Sequence, residues 1–265
     1  MAIELSDLIE IMTWIKEIPA ENRERLLFVG DTKFYVDNND LSQIARSLGM
    51  DIRDSKDPIS NKNFGYICGF HRTDTLGLEG QCSIKYDLMS ELPTELISQF
   101  DLIIDAGVLF WTFNPGTAIA NLSRMAAVGG RILHITALSG HFGSGYYNIH
   151  PLFFTDFYKL NEFKLLTGGG CRNRRMSLLS LILSKMKINI RIRRTKSDYR
   201  DIENTSPGDL GLVLSTPISR VLIKFHLKRL ALFDRSVGIF CFKKIEQIDK
   251  VSFPLLLELE LAQTH

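Results

Sequence analysis

The sequence predicts an α/β protein built on a doubly wound, mostly parallel sheet. Three observations predict it. Short, nearly continuous apolar runs at Leu26 to Val29, Phe100 to Asp105 and Arg131 to Thr136 suit strands buried on both faces. Helical stripes separate these runs, as parallel β-α-β units require. The chain has 265 residues, 45% hydrophobic and 23% charged, enough apolar material for a sizeable core and a poor match to disordered, collagen-like or disulfide-stapled chains.

Leu5, Leu8, Ile9, Met12 and Ile15 recur at helical spacing, so the first 17 residues read as an amphipathic helix ending near Pro19. Leu26 to Val29 follows as a strand closed by Gly30-Asp31. Asp40 opens a second helix as its cap, with Leu41, Ile44, Ala45 and Leu48 on one face and Gly49 as its stop. Asp51 to Asn63 reads as a loop, and Phe64 to Gly80 carries little pattern. Ser83 to Leu88 suits a strand and Pro93 to Gln99 a short helical segment. After the Phe100 to Asp105 strand, Asn114-Pro115 marks a helix start, with Ala118, Ile119, Leu122 and Met125 buried and Gly129-Gly130 as the stop. The strand Arg131 to Thr136, a loop at Ser139 to His150, a helix at Pro151 to Leu160 and a strand at Phe163 to Leu166 follow. Gly168-Gly169-Gly170 lacks the Lys-Ser/Thr of a phosphate cradle and reads as a turn. Pro207 to Leu232 reads as helical material inserted before a final strand, Val237 to Phe242.

Residues 1–24 are thus an N-terminal helix, 25–166 the sheet core, 167–236 an insertion or cap, and 237–265 a terminal strand and tail that complete the core. Acids at Glu4, Asp7, Glu10 and Glu17 break any signal-peptide pattern, and Asn114-Pro115-Gly116 interrupts the longest charge-free run, so no membrane span is expected. Cys68, Cys82, Cys171 and Cys241 form no CxxC pair, and no His/Cys/Asp/Glu cluster has metal-site spacing. A cytoplasmic location and no bound metal are expected. The net charge of +2 hides a basic stretch, Cys171 to Arg200, with ten Lys/Arg against Asp198. It reads as a solvated basic face, with an anion-binding site as the alternative.

In doubly wound sheets ligands sit beyond the carboxyl ends of the strands, which selects the loops that matter. There the residues Phe-Asp-Leu-Ile-Ile-Asp-Ala-Gly (100–107), Phe-Asn-Pro (113–115), Ala118, Asn121-Leu122, Gly129-Gly130-Arg131 and His134-Ile135 occur in order. With the Gly/His/Tyr-rich segment Ser139 to Phe154, this pattern resembles the class I S-adenosylmethionine-dependent methyltransferases, over about Arg25 to Leu166 and again at Val237 to Lys243. The resemblance implies a Rossmann-like sheet of the methyltransferase type and S-adenosylmethionine as cofactor. Its cofactor positions fall on Gly30 and Asp31 after the first strand, and on Asp74 or Glu79 for the ribose. They also fall on Asp87 and Leu88 for the adenine, and on Asp105, Ala106 and Gly107 after the fourth strand.

The chain departs from that pattern in three places. The first turn has the single glycine Gly30, Gly77 stands where the ribose acid is expected, and Phe110-Trp111 replaces a common Glu-His. For catalysis, His141 is the candidate base because its ordinary pKa lies near neutrality, with Tyr146 beside it and Tyr147 and His150 in the same loop. His134, inside an apolar strand, reads as a satisfied core histidine. Asp105 reads as a site residue or as a cap of the turn that follows it.

The leading functional reading is methyl transfer to a small-molecule acceptor, such as a saccharide or secondary metabolite. The alternative is a non-catalytic interaction or scaffold protein that keeps the fold without the cofactor. Nucleic-acid binding or modification through 171–200 is a third reading, which predicts a steep salt dependence.

Overall fold

The structure is a computed structural model, and it describes residues 2–139, 145–174, 200–201 and 235–254. The chain begins with β1 (Ala2–Ile3) and α1 (Leu5–Lys16), then β2 (Arg25–Val29), β3 (Lys33–Phe34), α2 (Asn38–Leu48), α3 (Asn61–Ile67), β4 (Arg72–Gly77) and β5 (Ile84–Lys85). It continues with β6 (Phe100–Asp105), α4 (Pro115–Met125), β7 (Ala126–Ser139), α5 (Pro151–Leu160), β8 (Phe163–Arg174), β9 (Arg200–Asp201) and β10 (Arg235–Lys244).

One sheet runs in the order β5-β4-β2-β6-β7-β10-β8-β9. Its first five strands are parallel, whereas β10 is antiparallel to both neighbours, β7 and β8. The order reverses at β2, between β4 and β6. Both faces are covered. Leu26, Phe28, Leu102, Ile104, Leu133 and Ile135 pack with α1, α2 and α3, while the alternating Leu27, Val29, Ile103 and Ile132 pack with α4 and α5. The Rossmann-like, doubly wound architecture expected from the sequence is the one observed.

The N-terminal helix is tied down at its carboxyl end by two arginines from elsewhere. Arg131 donates to the carbonyls of Trp14 (2.6 Å) and Glu17 (3.1 Å), and Arg23 to those of Ile15 and Ile18. Cations there satisfy the helix's unpaired carbonyls and complement its dipole. At the other end β1 pairs in parallel with β3, which clamps the segment following β2.

Several elements differ from expectation. The cap of α2 is Asp37, with Asp40 three residues inside it: each side chain accepts the other's backbone N–H, a reciprocal capping box. Helix α3 and strand β4 occupy the region with little pattern. Gly129-Gly130 does not stop α4, because the chain passes straight from Met125 into β7 and the glycines form an irregularity opposite Phe100 to Leu102. Gly129 takes φ +82°, and a Cβ on Gly130 would lie 2.8 Å from the Phe100 carbonyl oxygen. Gly168 to Gly170 lie within β8, not in a turn. The helical reading of Pro207 to Leu232 and most of the basic stretch fall outside the described residues. Among those residues no helix is long and apolar enough to cross a membrane.

Candidate functional site

A cavity of about 440 Å³ opens beyond the carboxyl ends of β2, β4, β5 and β6, beside the point where the strand order reverses. That is the expected crevice of an open α/β sheet, and the volume falls within the usual range for small-molecule pockets.

The floor is the turn after β2. Gly30 takes φ +79°, and a Cβ there would lie 2.9 Å from a Val108 methyl, so glycine is required on both counts. Its N–H donates to the Leu76 carbonyl (2.7 Å) and its carbonyl accepts from Asn61 Nδ2 (3.2 Å), fixing the turn against β4 and α3. Asp31 follows it into the cavity.

At the exit of β4 the backbone of Gly77 lines the cavity, where a Cβ would stand 2.7 Å from Cys82 Sγ. An acid at that position would displace the cysteine. Glu79, two residues on, supplies the carboxylate of this corner. After β5, Asp87 caps its own turn: its Oδ1 accepts from the Met89 N–H (2.9 Å) and its carbonyl from the Ser90 N–H. Buried Asn121 on α4 holds this loop, its Nδ2 reaching the Leu88 and Ser90 carbonyls at 2.8 Å and the Tyr86 hydroxyl at 3.0 Å. Burial, then the neighbouring Asp87 charge, pushes the Tyr86 hydroxyl up to about 12, so it stays protonated and donates to the Ser90 carbonyl.

The remaining wall is aromatic. A single 3-10 turn, Leu109–Trp111, follows β6, and Trp111, Thr112 and Phe113 reach the cavity together with Tyr146. Phe113 and Tyr146 meet edge to face at 5.9 Å and 87°.

Of the cofactor positions implied by the resemblance, the cavity therefore gathers Gly30, Asp31, Glu79, Asp87 and Leu88, and of the catalytic candidates Tyr146. It does not gather Asp74, Asp105, Ala106 or Gly107. Asp74 is buried within the sheet, where it meets Arg25 at 2.7 Å, Arg72 at 3.0 Å and the Ser83 hydroxyl at 3.0 Å. Burial alone would raise its carboxyl, yet the hydrogen bonds from Arg25 and Arg72 hold it below the usual value. Asp105 faces the core. Its Oδ1 accepts from the Val108 N–H (2.7 Å) and its Oδ2 lies 2.9 Å from His134 Nδ1, whose Nε2 lies 2.7 Å from the Tyr158 hydroxyl. All three side chains are fully buried, and the geometry matches a ring protonated at Nδ1 with the tyrosine donating to Nε2. Burial and the Asp105 charge keep that tyrosine's pKa well above its ordinary value. Asp105 thus caps the turn that carries Val108, and His134 is a satisfied core histidine, the structural role the sequence suggests for it. Ala106 is buried and Gly107 has φ +90° in the same turn.

His141 lies outside the described residues. His150 caps α5, its Nδ1 accepting from the Leu152 N–H, and burial lowers its pKa. Sequence reasoning passed over Leu78, Cys82, Met89, Val108, Thr112 and Phe113 as cavity residues, because loop positions carry no periodicity. The one available signal was the Phe110-Trp111 pair, an apolar insertion at a strand exit.

No protein-family model and no curated protein matches the sequence. Solved structures do align along most of the chain. A SAM-dependent methyltransferase from Archaeoglobus fulgidus aligns at 10% identity and TM-score 0.44, covering 91% of this chain and 92% of its own. An O-methyltransferase from a trans-AT PKS multienzyme of Brevibacillus brevis, in complex with S-adenosyl-L-homocysteine, aligns at 12% identity and TM-score 0.41 over 89% and 71%. The cyclase SpnF aligns at 14% identity and TM-score 0.40 over 90% and 81%. The Rossmann-like sheet is read from the strand order itself.

Proposed function

We propose that this protein binds S-adenosylmethionine in the cavity and transfers its methyl group to a small-molecule acceptor. The observation that carries the reading is the gathering of Gly30, Asp31, Glu79, Asp87 and Leu88 around one crevice at the reversal of the sheet. The donor set fits the group. Glu79 and Asp87 offer carboxylate oxygens to ribose hydroxyls and to the adenine amino group. The side chain missing at Gly30 makes room for the Val108 methyl, and both residues line the cavity. No Lys, Arg or His is among the described lining residues, so nothing there opposes a sulfonium, while three carboxylates favour it.

The bound cofactor supplies an electrophilic methyl group. The protein's part is positioning, which contributes much of the rate where the electrophile is already activated. Gly30 and Asn61 fix one wall, Asn121 holds the Asp87 loop, and the Asp105 cap holds the turn that bears Trp111. Tyr146 lines the acceptor end, and His141 would take the proton of an oxygen or nitrogen acceptor. An acceptor held beside the cofactor would lie against the aromatic wall of Trp111, Phe113 and Tyr146.

The absence of an acid at Gly77 favours a second reading, a non-catalytic interaction protein that keeps the fold. Calorimetric titration with S-adenosylmethionine and with S-adenosylhomocysteine separates the two. Binding at micromolar concentration is the expected result; no heat at millimolar ligand would overturn methyl transfer.

A further inference from the structure

The two ends of the cavity differ in chemistry. The exits of β2, β4 and β5 contribute Asp31, Glu79 and Asp87, whereas the exit of β6 and the segment after β7 contribute Trp111, Phe113 and Tyr146. These rings are 53%, 70% and 66% exposed, a concentration of bare aromatic surface at the mouth of a pocket that marks a ligand-binding face.

The backbone beneath them is fixed. The N–H groups of Tyr146 (2.8 Å) and Tyr147 (3.2 Å) both donate to the Phe110 carbonyl, and the Tyr147 hydroxyl donates to the Phe113 carbonyl at 2.9 Å. Gly145, at φ +82°, packs so closely on Phe110 that a Cβ would lie 2.7 Å from its carbonyl oxygen. The backbone that carries the rings is thus held in place before any ligand arrives, which lowers the ordering entropy lost when one binds.

We infer that this aromatic end receives a planar aromatic acceptor, laid against Trp111, Phe113 and Tyr146. Few polar groups are available beside those rings. Thr112 already donates its hydroxyl to the Val108 carbonyl (3.0 Å), and its neighbours Val108 and Phe113 are apolar. A saccharide would need a dense set of donors and acceptors there, since each stripped hydroxyl left unpaired costs binding energy. A flat ring needs only faces and edges to stack on, with one hydroxyl satisfied by the Tyr146 phenol, which makes no hydrogen bond with other described residues. As an acceptor assignment the inference rests on the methyl-transfer reading; as a binding site it stands apart from it.

The test is calorimetry with naphthol and with glucose, each in the presence and absence of saturating S-adenosylhomocysteine, on the wild type and on a W111A/F113A double variant. Both substitutions are at exposed positions, and an unchanged urea-denaturation midpoint reports that the variant is folded. Naphthol should bind the wild type and lose about tenfold or more in the double variant, the equivalent of one to two aromatic contacts, while glucose gives no heat. Naphthol affinity unchanged by the double substitution, or glucose binding as tightly as naphthol, would sink the inference. If naphthol binds through Trp111 and Phe113 while S-adenosylhomocysteine does not bind at all, the aromatic site stands and methyl transfer falls.

Discussion

Charged side chains at the carboxyl edge of the sheet divide into two groups. Asp31, Glu79 and Asp87 face the cavity, and none of them takes part in the ion pairs among the described residues. Asp105, at the end of the neighbouring β6, faces the core and spends both oxygens on Val108 and His134. The resemblance places all four in one cofactor site. Their surroundings separate them: an exposed carboxylate without a cation is free to meet a ligand, whereas a buried one with saturated hydrogen bonds holds up a wall.

The sharpest way to break this division is Asp105→Ala. It leaves the buried His134 Nδ1–H and the Val108 N–H without their acceptor, so stability should fall by about 2–5 kcal/mol in urea denaturation, roughly 1–3 kcal/mol for each unpaired donor, with S-adenosylhomocysteine affinity of the remaining folded protein little changed. A large affinity loss with unchanged stability would put Asp105 in the ligand site after all.

The converse is the double variant Asp87→Ala, Glu79→Ala. Two hydrogen bonds between ligand and carboxylate are removed, at roughly 1.5–3 kcal/mol each, so S-adenosylhomocysteine affinity should drop by roughly a hundredfold or more. Because the cavity carboxylates hold no structural ion pair, stability should shift by no more than about 0.5–1 kcal/mol, most of it from the Asp87 turn. Calorimetry and urea denaturation on the same sample check both halves.

The division was only partly legible in the sequence. Strands buried on both faces announce themselves as apolar runs, and Asn114-Pro115 marks a helix start from two residues, so β2, β6, β7 and α4 were readable. Strand β4 was not: its Arg-Thr-Asp-Thr-Leu-Gly sequence is polar because Asp74 is neutralised by Arg25 and Arg72, a compensation visible only in three dimensions. Gly129-Gly130 misled because a glycine pair after a helical stripe resembles a stop, and here it relieves crowding between β6 and β7. The Asp105 to His134 contact depends on those two residues being register partners across β6 and β7. No local pattern encodes a partner 29 residues away. Glu79 and Asp87 came from the resemblance, while the aromatic wall required knowing which loops converge.

The smallest expected effect concerns another core-facing charge, Lys244. Its side chain is buried and its Nζ donates to the carbonyls of Ser123 (3.2 Å) and Ala126 (2.8 Å), at the end of α4. Burial, then the Arg124 charge, lowers its pKa to about 8 from 10.5. The unfolded chain therefore binds more protons than the folded one between those values, and stability should rise with pH across that window. Below pH 8 the cost of burying the charge is fully present. The slope should stay under the ~1.4 kcal/mol per pH unit of a whole proton. In Lys244→Met this part of the pH dependence should vanish; an identical slope in the variant would assign it to other groups.

The two tryptophans of the chain sit in opposite surroundings, Trp14 buried at 2% exposure on the inner side of α1 and Trp111 open at the cavity mouth. The protein thereby carries two intrinsic fluorophores with separate duties. Trp14, in an apolar setting, should emit at shorter wavelength and shift only when the core opens, while Trp111 should be quenched readily by acrylamide and become shielded when a ring stacks on it. Ligand occupancy and global unfolding can be followed by colour in one cuvette, without attaching a label.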